Sequence, residues 1–172
     1  LSDGAQGPDI SVIPAAALKQ VEVLRDGAAA QYGSDAIAGV INFVLNDASE
    51  GGSFEARYGS YYEGDGDMIQ LSGNVGLPLS EKGFINLSAE YRTADDTSRS
   101  IQRDDAAALI AAGNTFVADP AQIWGSPEIK HDIKLFANAG VELSDTSEAY
   151  IFGNFAEREV EGGFYYRNPH NR

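Results

Sequence analysis

Residues 68–93, MIQLSGNVGLPLSEKGFINLSAEYRT, alternate with a period of two on both sides of a short turn. Ile69, Leu71, Val75 and Leu77 share one face of the first half, opposite Gln70, Ser72, Asn74 and Gly76. After PLSEKG, Ile85, Leu87, Ala89 and Tyr91 lie opposite Asn86, Ser88, Glu90 and Arg92. Side chains of an extended chain point alternately to its two sides. Each half therefore predicts a strand with one apolar and one polar face, and the two together predict a hairpin.

The same period extends outward in both directions. Upstream, GSFEARYGSYY sets Phe54, Ala56, Tyr58 and Tyr62 against Glu55, Arg57, Gly59 and Tyr61, and the turn-rich EGDGD follows. Downstream, IKHDIKLFANAGVEL sets Ile129, His131, Ile133, Leu135, Ala137, Ala139, Val141 and Leu143 against Lys130, Asp132, Lys134, Phe136, Asn138, Gly140 and Glu142. A fifth run, SEAYIFGNFAEREV, is apolar on both faces at its centre, so its register is open. Five such strands in series predict an antiparallel meander.

Strand length separates two versions of that meander. Each run covers ten or so residues, whereas strands of soluble proteins average about 5–6. A strand crossing a bilayer needs about 9–11 residues at a tilt near 45°. A soluble β-rich binding or adhesion domain, built as a sandwich, would also alternate, with its apolar side turned to a core. Two features favour the membrane version. Connections alternate between short (PLSEKG, SDTS) and long (residues 94–128), as in barrels with short periplasmic turns and long external loops. Tyr61, Tyr62 and Tyr91 also cluster toward the ends that parity assigns to the outside, with Phe54 and Phe84 near the opposite ends. That placement is expected of aromatic belts at the two interfaces. On this reading Ile69, Leu71, Val75, Leu77, Ile85, Leu87, Ile133 and Leu135 face lipid. Gln70, Asn74, Asn86, Glu90, Lys134 and Asn138 face the lumen.

Composition narrows the function. The 172 residues carry 26 acidic and 12 basic side chains, a formal charge of −14. Nucleic acid is excluded as a partner, because a phosphate-binding surface needs a basic patch. Cysteine is absent, which removes disulfides, thiolate metal sites and a cysteine nucleophile. No apolar run approaches the roughly 18 residues of a membrane helix. The first residue is Leu1, with neither an initiator methionine nor a basic leader, as expected of a segment from a longer protein.

Ahead of the strands, residues 21–46 read VEVLRDGAAAQYGSDAIAGVINFVLN, with small residues between two short apolar runs. Taken with residues 8–20, this stretch resembles the C-terminal end of the plug domain of TonB-dependent outer-membrane receptors. The resemblance rests on the apolar strand, Leu24-Arg25, the Ala-rich turn, Tyr32-Gly33-Ser34 and Gly39-Val40-Ile41-Asn42. Asp26-Gly27 replaces the Gly-Pro that many members carry. The implied fold is mainly β: a partial plug over residues 1–48, then, over residues 49–172, about five antiparallel strands of a large transmembrane barrel, one of 22 strands in the family. The implied function is active uptake of a scarce nutrient (a ferric siderophore, vitamin or glycan) across the bacterial outer membrane. The TonB complex of the inner membrane, outer-membrane lipid and a small nutrient ligand are the partners implied, with no cofactor and no enzymatic step.

The resemblance gives individual residues roles. Arg25 is expected to tie plug to barrel by ion pairing with carboxylates of the inner wall. Gly27, Gly33 and Gly39 would allow positive φ or close packing, with Tyr32 and Ser34 completing the structural motif. The Asn42 amide is expected to satisfy a neighbouring backbone group inside the plug. In the long connection, RDDAAALIAAGN predicts a short helix starting near Asp104 or Asp105 and ended by Gly113. Trp124 after it is a candidate ligand contact or, equally, packs the loop against its neighbours. Other chemistry finds no support. Glu63, Asp65 and Asp67 lack the spacing of a calcium loop. The glycines do not spell a dinucleotide fingerprint, and no G-x-S-x-G is present. His131 and His170 have no metal-ligand partner at short spacing, and no metal site is expected.

Overall fold

The computed structural model describes residues 9–25, 39–163 and 166–169. Two 3₁₀ turns, Ile10–Val12 and Ala15–Ala17, lead into β1 (Leu18–Arg25), which pairs antiparallel with β2 (Gly39–Leu45). Val21 stands opposite Phe43, Glu22 opposite Asn42 and Val23 opposite Ile41. Five longer strands follow: β3 (Gly52–Gly59), β4 (Met68–Ser80), β5 (Gly83–Ala94), β6 (Glu128–Ser144) and β7 (Ser147–Glu161). They form one sheet in chain order. Residues 81–82 alone join β4 to β5, and residues 145–146 join β6 to β7, so these neighbours run antiparallel. The links over residues 60–67 and 95–127 are longer, which gives the expected alternation of connection lengths. The chain is mainly β, as read from its sequence.

The chain divides into two compact units. One contains residues 1–55, 71–91 and 133–156. Within it, Asn86, Ser88 and Asn138 are buried and Glu90 is only 6% exposed, whereas Leu71, Val75, Leu77, Leu87 and Leu135 are exposed. Ile85 and Ile133 are half-buried. A water-soluble sheet shows the reverse, with its apolar face inside. Among the described residues of the whole chain, the buried apolar side chains are only Pro14, Ala17, Ala106 and Phe136. The apolar faces of these strands have no protein core to enter.

Aromatic packing corrects one expectation and settles another. Phe84 does not join an outward belt: its ring lies 6.4 Å from that of Tyr150, and a Cβ on Gly140 would come within 2.7 Å of it. Gly140 shares the parity of Asn138, so Phe84 belongs to the polar face, as its own parity with Asn86 requires. Phe136, 5% exposed, stacks on Phe152 at 6.4 Å with 11° between planes. That contact fixes the register of β7, which periodicity left open.

The other unit contains residues 56–70, 92–132 and 157–172. Its one described α-helix, α1 (Asp104–Ala111), has Arg103 at the N-cap position without a side-chain cap. Asp104 and Asp105 sit in the first turn, where the helix dipole favours negative charge. Gly113 at φ +90° ends the helix as expected. Its N–H reaches the Ile110 carbonyl at 2.9 Å, and that of Asn114 reaches the Leu109 carbonyl at 3.0 Å.

Candidate functional site: a linker clasp and a loop latch

Between β2 and β3 the linker, residues 46–51, is held on two sides. Toward the β1–β2 pair, the Asn46 N–H donates to the Ala17 carbonyl at 2.8 Å, and Lys19 Nζ reaches both Asp47 oxygens at 2.8 and 3.0 Å. Toward the five-stranded sheet the partners are three asparagines, one from each of β4, β5 and β6. Asn46 Nδ2 donates to Asn74 Oδ1 (3.1 Å), Asn138 Nδ2 to the Asn46 carbonyl (3.0 Å) and Asn86 Nδ2 to the Ala48 carbonyl (3.3 Å). Asn74 Nδ2 links the set by donating to Asn86 Oδ1 at 2.5 Å and to Ser88 Oγ at 2.8 Å. The expected lumen-facing positions 74, 86 and 138 thus converge on one stretch of backbone.

Gly76 makes the approach possible. Its N–H donates to the Gly51 carbonyl at 2.9 Å, and a Cβ there would lie 2.4 Å from the Ala48 carbonyl oxygen and 2.9 Å from the Glu50 nitrogen. A buried amide left unpaired costs about 1–3 kcal/mol, so Asn86, fully buried, depends on its linker and neighbour contacts. On the same polar face, Lys134 Nζ meets Glu90 Oε1 at 2.6 Å, with both side chains largely out of solvent. Within the second unit Arg158 donates twice to Asp132 Oδ2, and that carboxylate is 2% exposed as a residue. Buried charge is tolerated here because each carboxylate has its counter-ion.

A different cluster joins two loops of the second unit. Arg99 reaches Asp65 with both terminal nitrogens, at 2.5 and 2.9 Å, and Glu63 at 3.3 Å. The guanidinium also lies 5.8 Å from the Tyr61 ring centroid. Asp67 accepts from the Tyr58 hydroxyl at 3.2 Å, and its carbonyl from the Asp95 N–H at 2.8 Å. EGDGD is thus a hairpin link fastened to the next loop, and no group of residues that could hold a metal occurs among the described residues.

The latch has a pH signature. The hydrogen bond from Arg99 holds the Asp65 carboxyl below its ordinary value of 3.8. A carboxylate whose folded pKa is lowered contributes stability above that ordinary value and loses it as pH falls through the depressed one. NMR titration should therefore show Asp65 protonating below its ordinary value of 3.8, with the two loops separating in that acid window. An Asp65 that titrates at 3.8 or above would contradict the latch.

The residues singled out from sequence fall as follows. Arg25 ends β1, exposed, opposite Gly39. Gly39 has φ +137°, and a Cβ would lie 2.5 Å from the Leu24 carbonyl oxygen, so its place in the motif is steric. Asn42 departs from expectation. Its Nδ2 donates to Glu22 Oε2 at 2.9 Å across the β1–β2 pair, a side-chain partner where a backbone one was expected, because the pairing register places Glu22 directly opposite. Gly27, Tyr32, Gly33 and Ser34 lie outside the described residues. Trp124 is exposed, its N–H bonded to Ser100 Oγ at 2.6 Å and its carbonyl to the Arg99 N–H at 2.8 Å. The sequence places Asn74, Asn86 and Asn138 on the polar face without giving them a partner, and it gives no role to Asn46 or Arg99. For the asparagines a signal existed, since amides on the polar face of three successive strands mark a surface that must bind something.

Residues 1–40 match the family model described as the TonB-dependent receptor plug domain. Over 90 residues, 52% of this chain, the sequence is 36% identical to the vitamin B12 transporter BtuB of Photobacterium profundum. The matched stretch spans 14% of that relative. No solved structure matches the chain.

Proposed function

We propose that this chain, a TonB-dependent receptor by its plug sequence and its transporter relative, serves active import of a small nutrient across the bacterial outer membrane. The observation that carries the reading is the inverted burial of β4, β5 and β6, with Asn86, Glu90 and Asn138 inside and Leu71, Leu87 and Leu135 outside. Lipid is the solvent in which that arrangement is favourable, and closed strands are one of the two ways to span it. The relative's cargo makes a vitamin one cargo class, beside ferric siderophores and glycans. Import needs no covalent chemistry from the chain, no cofactor and no nucleic acid. It needs the inner-membrane TonB complex to supply force to the plug.

The test is thiol scanning of the full-length protein in outer membranes with a membrane-impermeant reagent. Cysteines at Leu71, Leu87 and Leu135 should stay unlabelled, while those at Gln70 and Ser72 react. Equal labelling of both sets would remove the membrane reading, and loss of uptake should follow removal of TonB.

Arg25 belongs to the same reading. Arg25 is exposed at the end of β1, and on this reading it pairs with wall carboxylates; a guanidinium holds a carboxylate with a two-pronged geometry that lysine lacks. Arg25→Ala should loosen the plug and raise channel conductance and antibiotic leakage, with Arg25→Lys restoring the seal only in part. Wild-type conductance in both variants would return Arg25 to an ordinary turn residue.

A further inference from the structure

The second unit forms an open-sided cavity of about 450 Å³, lined among others by Tyr61, Gly66, Met68, Arg92, Asp95 and Thr97. That is within the range of small-molecule sites, roughly 300–1,000 Å³. Its walls are preformed. Tyr61 and Gly66 come from the loop of residues 60–67 and Thr97 from the loop of residues 95–127, and the Arg99–Asp65 latch fastens these two loops together. The junction is tight: a Cβ on Gly66, at φ +67°, would lie 2.6 Å from the Tyr61 ring and 2.7 Å from Thr97 Cγ2. Met68 and Arg92 share strand parity with Gln70 and Glu90, which places them on the polar face.

Arg92 is the anomaly in this wall. Lys19, Lys82, Arg99, Arg103, Lys130, Lys134 and Arg158 each meet a carboxylate, and Arg25 and Arg167, which show none among the described residues, are exposed to water. Arg92 forms no ion pair among the described residues, and its Nε is buried without an acceptor. In a chain with 26 acidic against 12 basic side chains, pairing partners are abundant. Leaving a half-buried guanidinium uncommitted is costly unless an anion completes it. Asp95 lines the same cavity, but it is exposed, so water and salt screen it, while the field of the half-buried Arg92 is screened less.

We propose that this cavity binds the anionic group of a partly apolar small molecule, with Arg92 as its counter-charge and Arg99–Asp65 as the positioning pair that holds the walls. Tyr61 and Met68 supply the apolar contact. That the bound molecule is cargo rests on the import reading; that the cavity selects anions does not. A carboxylate or phosphate of a dissolved solute and a phosphate of an outer-leaflet lipid share this chemistry, and the experiment separates them.

These 172 residues contain no cysteine, so Ser60→Cys adds their one thiol in the cavity wall, and the full-length parent without it sets the labelling background. In full-length protein in lipid-free detergent, its reaction rates with an anionic and a cationic methanethiosulfonate reagent are normalised to Asp145→Cys in the turn between β6 and β7. The anionic reagent should be favoured, and Arg92→Gln should lower that preference about fivefold, the scale of one unit charge in a partly hydrated site. Arg99→Gln should lower it as well, by loosening the walls. In vesicles containing phosphate-bearing lipid A, loss of labelling confined to the Arg92 background assigns the anion to a lipid headgroup. Undiminished labelling there assigns it to a dissolved solute. Equal preference with and without Arg92, or no labelling in detergent, overturns the site. None of these readouts uses transport, so failure of the import reading would be seen separately.

Discussion

Leu71→Arg should destabilise the inserted full-length protein by about 2–4 kcal/mol, the cost of a cation on the lipid face near mid-bilayer. Leu71 is 37% exposed and lines the outward face of β4 with Val75 and Leu77. In water, arginine at so exposed a strand position would be nearly neutral, within about 0.5 kcal/mol. The two environments therefore give answers that differ by more than the error of a folding titration into vesicles. Gln70→Arg, one residue away on the polar face, is the control and should change little. A neutral Leu71→Arg would mean that the outward leucines meet water, and the soluble β-rich alternative would return.

The second large effect is expected at Gly76, where the obstacle is backbone. A side chain there meets the Ala48 carbonyl oxygen and carbon and the Glu50 nitrogen, none of which is the flexible end of a side chain. Gly76→Val must therefore push the linker off the sheet, or bend β4, at a cost of roughly 1–3 kcal/mol for overpacking before lost hydrogen bonds are counted. Detaching the linker also strips the buried Asn86 amide of its Ala48 acceptor and Asn138 of its Asn46 acceptor. On the import reading, the expected phenotype is an inserted protein with a poorly seated plug: raised conductance, protease cleavage near residues 46–51 and reduced uptake. Gly73→Ala is the control, since a Cβ at Gly73 comes no nearer than 3.4 Å to its neighbours. Intact sealing in Gly76→Val would show that the linker does not depend on this contact.

Much of this was legible in the residues, and the limits are physical. Alternation over residues 68–93 assigns Asn86 and Leu87 to opposite faces because strand geometry permits nothing else. Length and loop asymmetry then indicate which solvent each face meets. Parity also places Phe84 with Asn86, and the belt assignment failed because it weighed position along the strand above parity. What one-dimensional periodicity cannot hold is pairing at a distance. Asn138 and Asn46 are 92 residues apart, and their contact depends on three strand registers acting together. The Arg99 latch joins two aperiodic loops, where no alternation reports which side chain meets which. Asn42 lay within reach, since its partner follows once β1 is paired with β2 and Glu22 stands opposite.

On its sheet side the clasp is made of neutral amides bonded to backbone carbonyls and to one another, and the latch of full charges in a solvated loop. The two fastenings therefore yield to different solutes. Chloride at molar concentration screens Arg99 from Asp65 and leaves asparagine bonds almost untouched. Urea, itself an amide, competes for the same carbonyls that Asn86 and Asn138 hold, and has far less purchase on an ion pair. A salt series followed by a urea series would release the loops first and the linker second, so a chemist could open one fastening while the other stays shut.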